Sequence, residues 1–526
     1  MPLNKNRILL FLGYFLAMMG ISFKIYSITP SITNYPFPIA WSESGRIFAA
    51  YQVYAPIITG KYLSFPWLDA GRSILDGMVF LIPNSTISTY RLWVNILLIS
   101  LIFLAAFFTI RKAFVYSRIS ENQKKGLLLL ITLWGLLFLM QGPVYYHVIA
   151  GVIPILWLYD NKRSARNLIV IILCSLWEGL CRVNWFLMPA IVAVLLHMLR
   201  TAVIKKKYWN YIQWPLIYSI SGGIISFTIN WIHMKATGYE SVFLNPKMNY
   251  FFFRYKLWPN SGFIGLIPGI ILISFPVLLV LLFMIWKYRR NLHWIRLMIF
   301  LSILGIFFVG STVVSLRAGG GFNLHNYDTF LLLIFIAGCF FGMDAVWLDQ
   351  AAQQEKPLLL NYGFLVLLLV VPMLMAIPKP IINEPQANPQ SEQSLQEILR
   401  VLQTADGTNT NHPILFIDQR QLLAFHIVED ENIFIPYEKI ELMEMAMANN
   451  WDYRSRFVND LENHKFPLIV SEILGNWQKS FSPDLFERDW YENNIWVDFV
   501  SIPILDHYSP IYIDKDIGVA IYAPLK

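Results

Sequence analysis

Long apolar runs recur along most of this chain, and they limit its fold more than any other feature. A membrane-crossing helix needs about 20 mostly apolar residues, and a backbone in hydrocarbon must satisfy its own hydrogen bonds. Eleven such runs begin near Ile8, Leu92, Gly126, Val144, Asn167, Asn184, Trp214, Gly262, Leu297, Thr329 and Leu358. The fourth to sixth are short and closely spaced. WEGLCRVNW, from Trp177 to Trp185, interrupts what otherwise reads as one long apolar region. Only 14% of the 526 residues are charged, against about 25% in a soluble domain, and the mean hydropathy is +0.50. The expected fold is a polytopic α-helical membrane protein with about 11 transmembrane helices.

The net charge of +7 is spread between the runs and forms no basic domain, which argues against a nucleic-acid partner. Its placement sets orientation. With the N-terminus inside, Lys5 and Arg7 are cytoplasmic, as are the loops RKAFVYSRISENQKK, NKRSAR, RTAVIKKK and KYRRNLHWIR. The alternate loops are poorer in Lys and Arg, and QGPVYYH has neither. The last inner loop, LDQAAQQEKP, is the weakest. The expectation is an integral plasma (inner) membrane protein with a cytoplasmic N-terminus, and an odd number of crossings puts the C-terminal region outside. Cys174, Cys181 and Cys339 have no metal-ligand spacing and read as small buried hydrophobes. The first run is too long for a typical signal core and lacks a clear cleavage site.

The domain reading is a transmembrane part over 1–376, a linker over 377–395 and an extracytoplasmic α/β domain over 396–526. The linker stands out by its Pro, Asn and Gln content. Beyond it PILFID, FPLIVSEIL, WVDFVSI and GVAIYAPL read as strands, and SLQEILRVLQ and KIELMEMAMANN as helices. No nucleotide fingerprint or nucleophile elbow occurs there, and packing or recognition is its expected role.

The two longest inter-helix connections both fall on the outer side. The first, over 30–91, contains GRIFAAYQVYAPII and DAGRSILDGMVFLIP, expected as amphipathic interfacial helices. The second contains ESVFLNPKMNYFFFRYKLW, where Lys247, Arg254 and Lys256 alternate with aromatic residues. Such aromatics serve as membrane anchors; beside cations they also suit an anionic lipid head group. Three short motifs share this side: WSESGR with Glu43 and Arg46, CRVNW with Arg182 and Asn184 after Glu178, and SLRAGGGFNLHNYDTF with Arg317, Asn323, His325, Asn326 and Asp328. Each has a plainer reading. Asp328 starts a helix, the glycines form a tight loop, and Glu43 pairs with Arg46 or Arg72. Together, ionisable residues gathered on one side of nearly uncharged helices point to an outward-facing site at the membrane surface.

A long first outer loop with an acidic residue soon after the first helix, interfacial helices and an outer C-terminal domain resemble the GT-C superfamily of glycosyltransferases. WSESGR, CRVNWF and GGGFNLHNYDTF look like motifs of a bacterial glycosyltransferase-like group within it. Familiar members often carry an acidic pair in the first loop, whereas this chain has a single Glu flanked by serines. The resemblance implies a polyprenyl-phosphate-linked sugar as donor and a glycan, lipid or protein as acceptor. An outward site fits a lipid-linked donor, since nucleotide sugars are cytoplasmic.

The expected chemistry is attack by an acceptor hydroxyl on the anomeric carbon with lipid phosphate leaving. Glu43 is the expected catalytic base. Arg182, Arg254, Lys256, Arg317 and His325 are expected to offset charge on the leaving phosphate, with Arg46, Asn184, Asn323, Asn326 and Asp328 as further substrate-binding residues. Glu43, Asp69 and Asp76 are oxygen donors that could share a divalent cation, though no motif requires one. The rival readings are a lipid-linked glycan transporter or flippase, an O-antigen ligase or polymerase, and a non-catalytic scaffold. A transporter is expected to show intramembrane charges or repeated broken helices, and neither is evident.

Overall fold

The computed structural model describes residues 5–117, 121–141, 145–204, 207–239, 252–259, 264–317, 324–347, 357–377, 385, 387–406, 412–428, 433–480 and 490–525. A helix stands at each of the eleven apolar runs. They are α1 (Lys5–Ile28), α4 (Ile87–Tyr116), α5 (Glu121–Leu139), α6 (Tyr146–Leu158), α7 (Ser164–Gly179), α8 (Met188–Arg200), α9 (Tyr208–Thr237), α10 (Leu266–Tyr288), α11 (Trp294–Leu316), α12 (Asp328–Gly342) and α13 (Tyr362–Ala376). Between the first two lie α2 (Glu43–Ile58) and α3 (Ala70–Gly77). Among the described residues, seven helical stretches are long and apolar enough to cross a membrane, and α5, α6 and α13 contribute shorter apolar helices. The protein is therefore a polytopic helical membrane protein with a small C-terminal sheet region.

Buried α8 and α12 form the centre of the bundle. Every residue of α12 is buried, and α8 packs against α6, α7, α9, α11 and α12. At one end, basic side chains bind the carbonyls that helix C-termini leave unsatisfied. Lys112 donates to Tyr159 O at 2.6 Å, Arg200 to Ala345 O at 2.5 Å, and Arg296 to Thr201 O at 2.8 Å. The opposite end carries α2, α3 and the C-terminal region.

That region contains α14 (Pro389–Asp406), α15 (Gln421–Ala424), α16 (Lys439–Met447), α17 (Trp451–Glu462), α18 (Trp490–Trp496) and α19 (Ile502–His507). Its sheet has β1 (Leu415–Phe416), β2 (Ile469–Glu472), β3 (Tyr508–Asp514) and β4 (Val519–Pro524), in the order β1-β2-β4-β3. β1 runs parallel to β2, and the other pairs are antiparallel. Alternation splits the strands between two cores. Val470 and Ile521 face Ile398, Leu422 and Phe48, whereas Ile469 and Tyr522 face Leu442, Phe457 and Ile504.

Three expectations change here. WVDFVSI is helical: Trp496, Val497, Val500 and Ile504 are buried at helical spacing. Strand β3, which carries Pro510, lies on the sheet edge where proline is tolerated. Helix α14 starts at Pro389, inside the stretch read as linker. The outer-loop helix α2 also buries Ile47, Phe48, Tyr51 and Ala55 in the same core as the sheet. It is thus a layer of the C-terminal fold, not a free amphipathic helix.

Candidate functional site

A cavity of about 610 Å³ lies where the bundle meets the C-terminal region. It is built from α2, the segment from Ser64 to Asp76, the turn after α7, the C-terminal ends of α9 and α11, and the turn before α12 that holds His325 and Asn326. Much of its remaining wall is α16, whose N-cap Glu438 is followed at spacings of three by Glu441 and Glu444. The C-terminal fold is held there by buried polar contacts. Arg420 N–H donates to Ser44 Oγ at 2.7 Å, Gln421 Nε2 to Pro36 O at 3.0 Å, and Tyr239 OH to Glu441 at 2.9 Å. Gly45 lets the elements meet, since a Cβ there would sit 2.1 Å from Glu438 Oε1.

Glu43 does not line this cavity. Arg91, near the start of α4, binds its two oxygens at 2.8 and 3.0 Å. The same guanidinium donates to the carbonyls of Thr33, Tyr35 and Phe37. Glu43 Oε2 also accepts Ile39 N–H at 2.7 Å. This carboxylate ties the chain between α1 and α2 to α4, and its partner is Arg91 instead of Arg46 or Arg72. Arg72 instead binds Asp76, which also accepts from Tyr90 and Tyr146. The carboxylates of Glu43 and Asp76 are thus committed elsewhere. Among the described residues no cluster of three or more His, Cys, Asp or Glu is arranged to hold a metal.

Asp69 differs from both. It occupies the N-cap position of α3, where an Asp side chain normally accepts a helix N–H. Here it makes no capping bond; Leu180 O takes the Gly71 N–H at 2.9 Å. The backbone of Asp69 is left-handed, with φ 46° and ψ 46°, a conformation costing about 1–3 kcal/mol in a non-glycine residue and concentrated at functional sites. Its carboxylate lines the cavity and makes no hydrogen bond or ion pair among the described residues.

Two arginines of the cavity keep donor capacity to spare. Arg46 lines the cavity without a hydrogen bond or ion pair among the described residues. Burial, and then the nearby Arg72 guanidinium, push its pKa down against the opposing pull of Tyr145 and the Asp69 carboxylate, and a further anion beside it would add to that pull. Arg182 stacks over Tyr145, with Cζ 4.3 Å from the ring centroid, and donates through Nη2 to Asn326 at 3.2 Å. Its Nη1 and Asn184 Nδ2 are buried without a hydrogen-bond partner among the described residues. Unmet buried donors are costly, and a cavity wall is where a ligand can satisfy them.

Of the residues expected from sequence, the cavity brings together Arg46, Arg182, Asn184, Arg317, His325 and Asn326. Asp328 lies beneath it, accepting from Trp185 Nε1 at 2.8 Å and Thr329 N–H at 2.7 Å. Lys256 is buried behind the wall with its ammonium 3.5 Å from Arg317 O, and Arg254 is exposed away from it. Asn323 and Lys247 lie outside the described residues. Glu178 is fully buried against Gly151, with neither oxygen hydrogen-bonded among the described residues. The contribution of α16 went unanticipated, because its three glutamates look in sequence like an ordinary solvated helix face. No protein-family model matches the chain, and no curated protein matches it significantly in sequence.

Proposed function

We propose that the protein is a membrane glycosyltransferase of GT-C type, moving a sugar from a polyprenyl-phosphate donor to an extracytoplasmic acceptor. The observation that carries this reading is one cavity holding an uncommitted carboxylate, Asp69, together with the unmet guanidinium donors of Arg46 and Arg182. In this reading all eleven apolar helices cross the inner membrane. The N-terminus is cytoplasmic, and the cavity and C-terminal fold are outside. The cluster of Lys112, Arg200 and Arg296 at the opposite end supports that orientation through the positive-inside rule.

The donor phosphate sits on Arg46 and Arg182, with Arg317 beside them, and planar guanidinium groups suit its several oxygens. An acceptor hydroxyl attacks the anomeric carbon. The bond from that carbon to the phosphate oxygen breaks, and the lipid phosphate leaves with the electron pair. Asp69 takes the hydroxyl proton, the role that sequence alone assigned to Glu43. The arginines stabilise charge as it builds on the leaving group. Val313, Val314 and Phe252 give the cavity an apolar margin suited to a lipid-borne substrate.

Binding of polyprenyl phosphate to the full-length protein in lipid nanodiscs tests this reading. Arg46→Gln and Arg182→Gln are each expected to weaken binding about tenfold or more, since hydrogen bonds to charged groups are worth about 1.5–3 kcal/mol. Parental affinity in both variants would overturn the assignment.

A further inference from the structure

Two ion pairs at this end of the molecule differ in kind. Arg91 holds Glu43 through two nitrogens at 2.8 and 3.0 Å, with side-chain exposures of 3% and 12%. Among the described residues, Arg317 meets Glu444 by one contact, Nη2 to Oε2 at 3.4 Å, and both residues line the cavity. A charge-assisted N–H···O bond is typically about 2.7–2.9 Å, so this second contact is long and one-sided. Arg317 follows α11, whereas Glu444 belongs to α16 in the C-terminal fold. That fold is anchored on α2 through Arg420 and Gln421. Glu444 is therefore held in place at the wall, and Arg182, Asp69 and Glu492 complete its charged surroundings.

A phosphate offers a guanidinium several oxygens in the geometry a forked donor prefers. Glu444 offers Arg317 one long contact. Resting on the proposed reading of this cavity, we infer that Glu444 is a positioning residue of the donor site: it orients Arg317 at the cavity wall, and the donor's phosphate competes with it for the guanidinium. The C-terminal fold then takes part in donor binding through a defined atom. Removing that carboxylate removes both a competitor for Arg317 and a negative charge near the phosphate.

The test measures affinity of the full-length protein in nanodiscs for polyprenyl phosphate, with inorganic phosphate as a parallel probe. Glu444→Gln is expected to bind polyprenyl phosphate about two- to fivefold more tightly, the scale of a partly exposed ion pair. A structural role alone would not raise affinity. The gain is expected to vanish in an Arg317→Gln background, and Glu444→Ser carries the same expectation if the Gln variant fails to fold. A gain with the lipid alone assigns the site to a lipid head group; a gain with both probes assigns it to phosphate as such. Unchanged or weaker lipid binding in Glu444→Gln, beside a binding parent, overturns this inference and leaves the proposed function standing. Absence of binding in both proteins overturns the two together.

Discussion

Arg91 holds both carboxylate oxygens of Glu43 while collecting the carbonyls of Thr33, Tyr35 and Phe37. One guanidinium thus fixes the path from α1 into α2, and through α2 the position of Arg46 in the cavity. The acidic residue most conspicuous in the sequence supports the site, and Asp69 enters it.

This division of labour predicts a stability effect at the Arg91 pair. Removing one partner of a buried ion pair costs about 3–5 kcal/mol. Arg91→Ala, which also strands three carbonyls, is expected to fall in that range, and Glu43→Gln to cost less because an amide oxygen still accepts. Thermal unfolding in detergent measures both. The folded fraction of Glu43→Gln is expected to keep near-parental turnover, whereas a lost general base typically costs about 10²–10⁴-fold.

Glu438 gives a pH prediction. Burial pushes its carboxyl up to about 7 against the opposing pull of Arg420. Between about 4.5 and about 7 the folded protein keeps a proton that the unfolded chain has released. Stability therefore falls as pH rises through that window and levels off above it. In Glu438→Gln, whose amide oxygen can still accept the Ile440 and Glu441 N–H groups that Glu438 caps, this slope is expected to become shallower, with burial of Glu441 and Glu444 sustaining the rest. Unfolding midpoints across the window measure it; an unchanged slope assigns the pH dependence to other groups.

Orientation can be tested with thiols introduced into a Cys181→Ser background, because Cys181 lines the cavity whereas Cys174 and Cys339 are buried away from it. Tyr62, Gln478 and Arg290 are exposed. Tyr62→Cys and Gln478→Cys are expected to react with an impermeant label from outside, and Arg290→Cys only after the membrane is opened. Labelling of position 478 from the cytoplasmic side would remove the outward site.

Much of the membrane part was legible because run length and hydropathy report directly on helices in hydrocarbon; each expected start lies at or near a helix. Six cavity residues were legible too, because polar residues between apolar runs are conspicuous. Other features depend on distant partners. The bond between Arg91 and Glu43 joins positions 48 residues apart, and no local pattern marks it. WVDFVSI misled because β-branched and aromatic content suggested a strand while its burial follows a helix. Asp69 was visible only as a carboxylate near others. Its cap is released because Leu180, a residue on another segment, accepts the Gly71 N–H, and its left-handed backbone carries no local sequence mark.

The most direct measurement of the central claim is sugar transfer by Asp69→Asn, using purified protein in nanodiscs with a polyprenyl-phosphate sugar and an envelope acceptor. Asparagine tolerates the left-handed backbone, so folding and lipid-phosphate binding are expected to stay near parental. Turnover is expected to fall about 10²–10⁴-fold, the usual worth of a positioned general base. Parental turnover in Asp69→Asn, alongside its loss in stably folded Glu43→Gln, would contradict the account and return the base to Glu43.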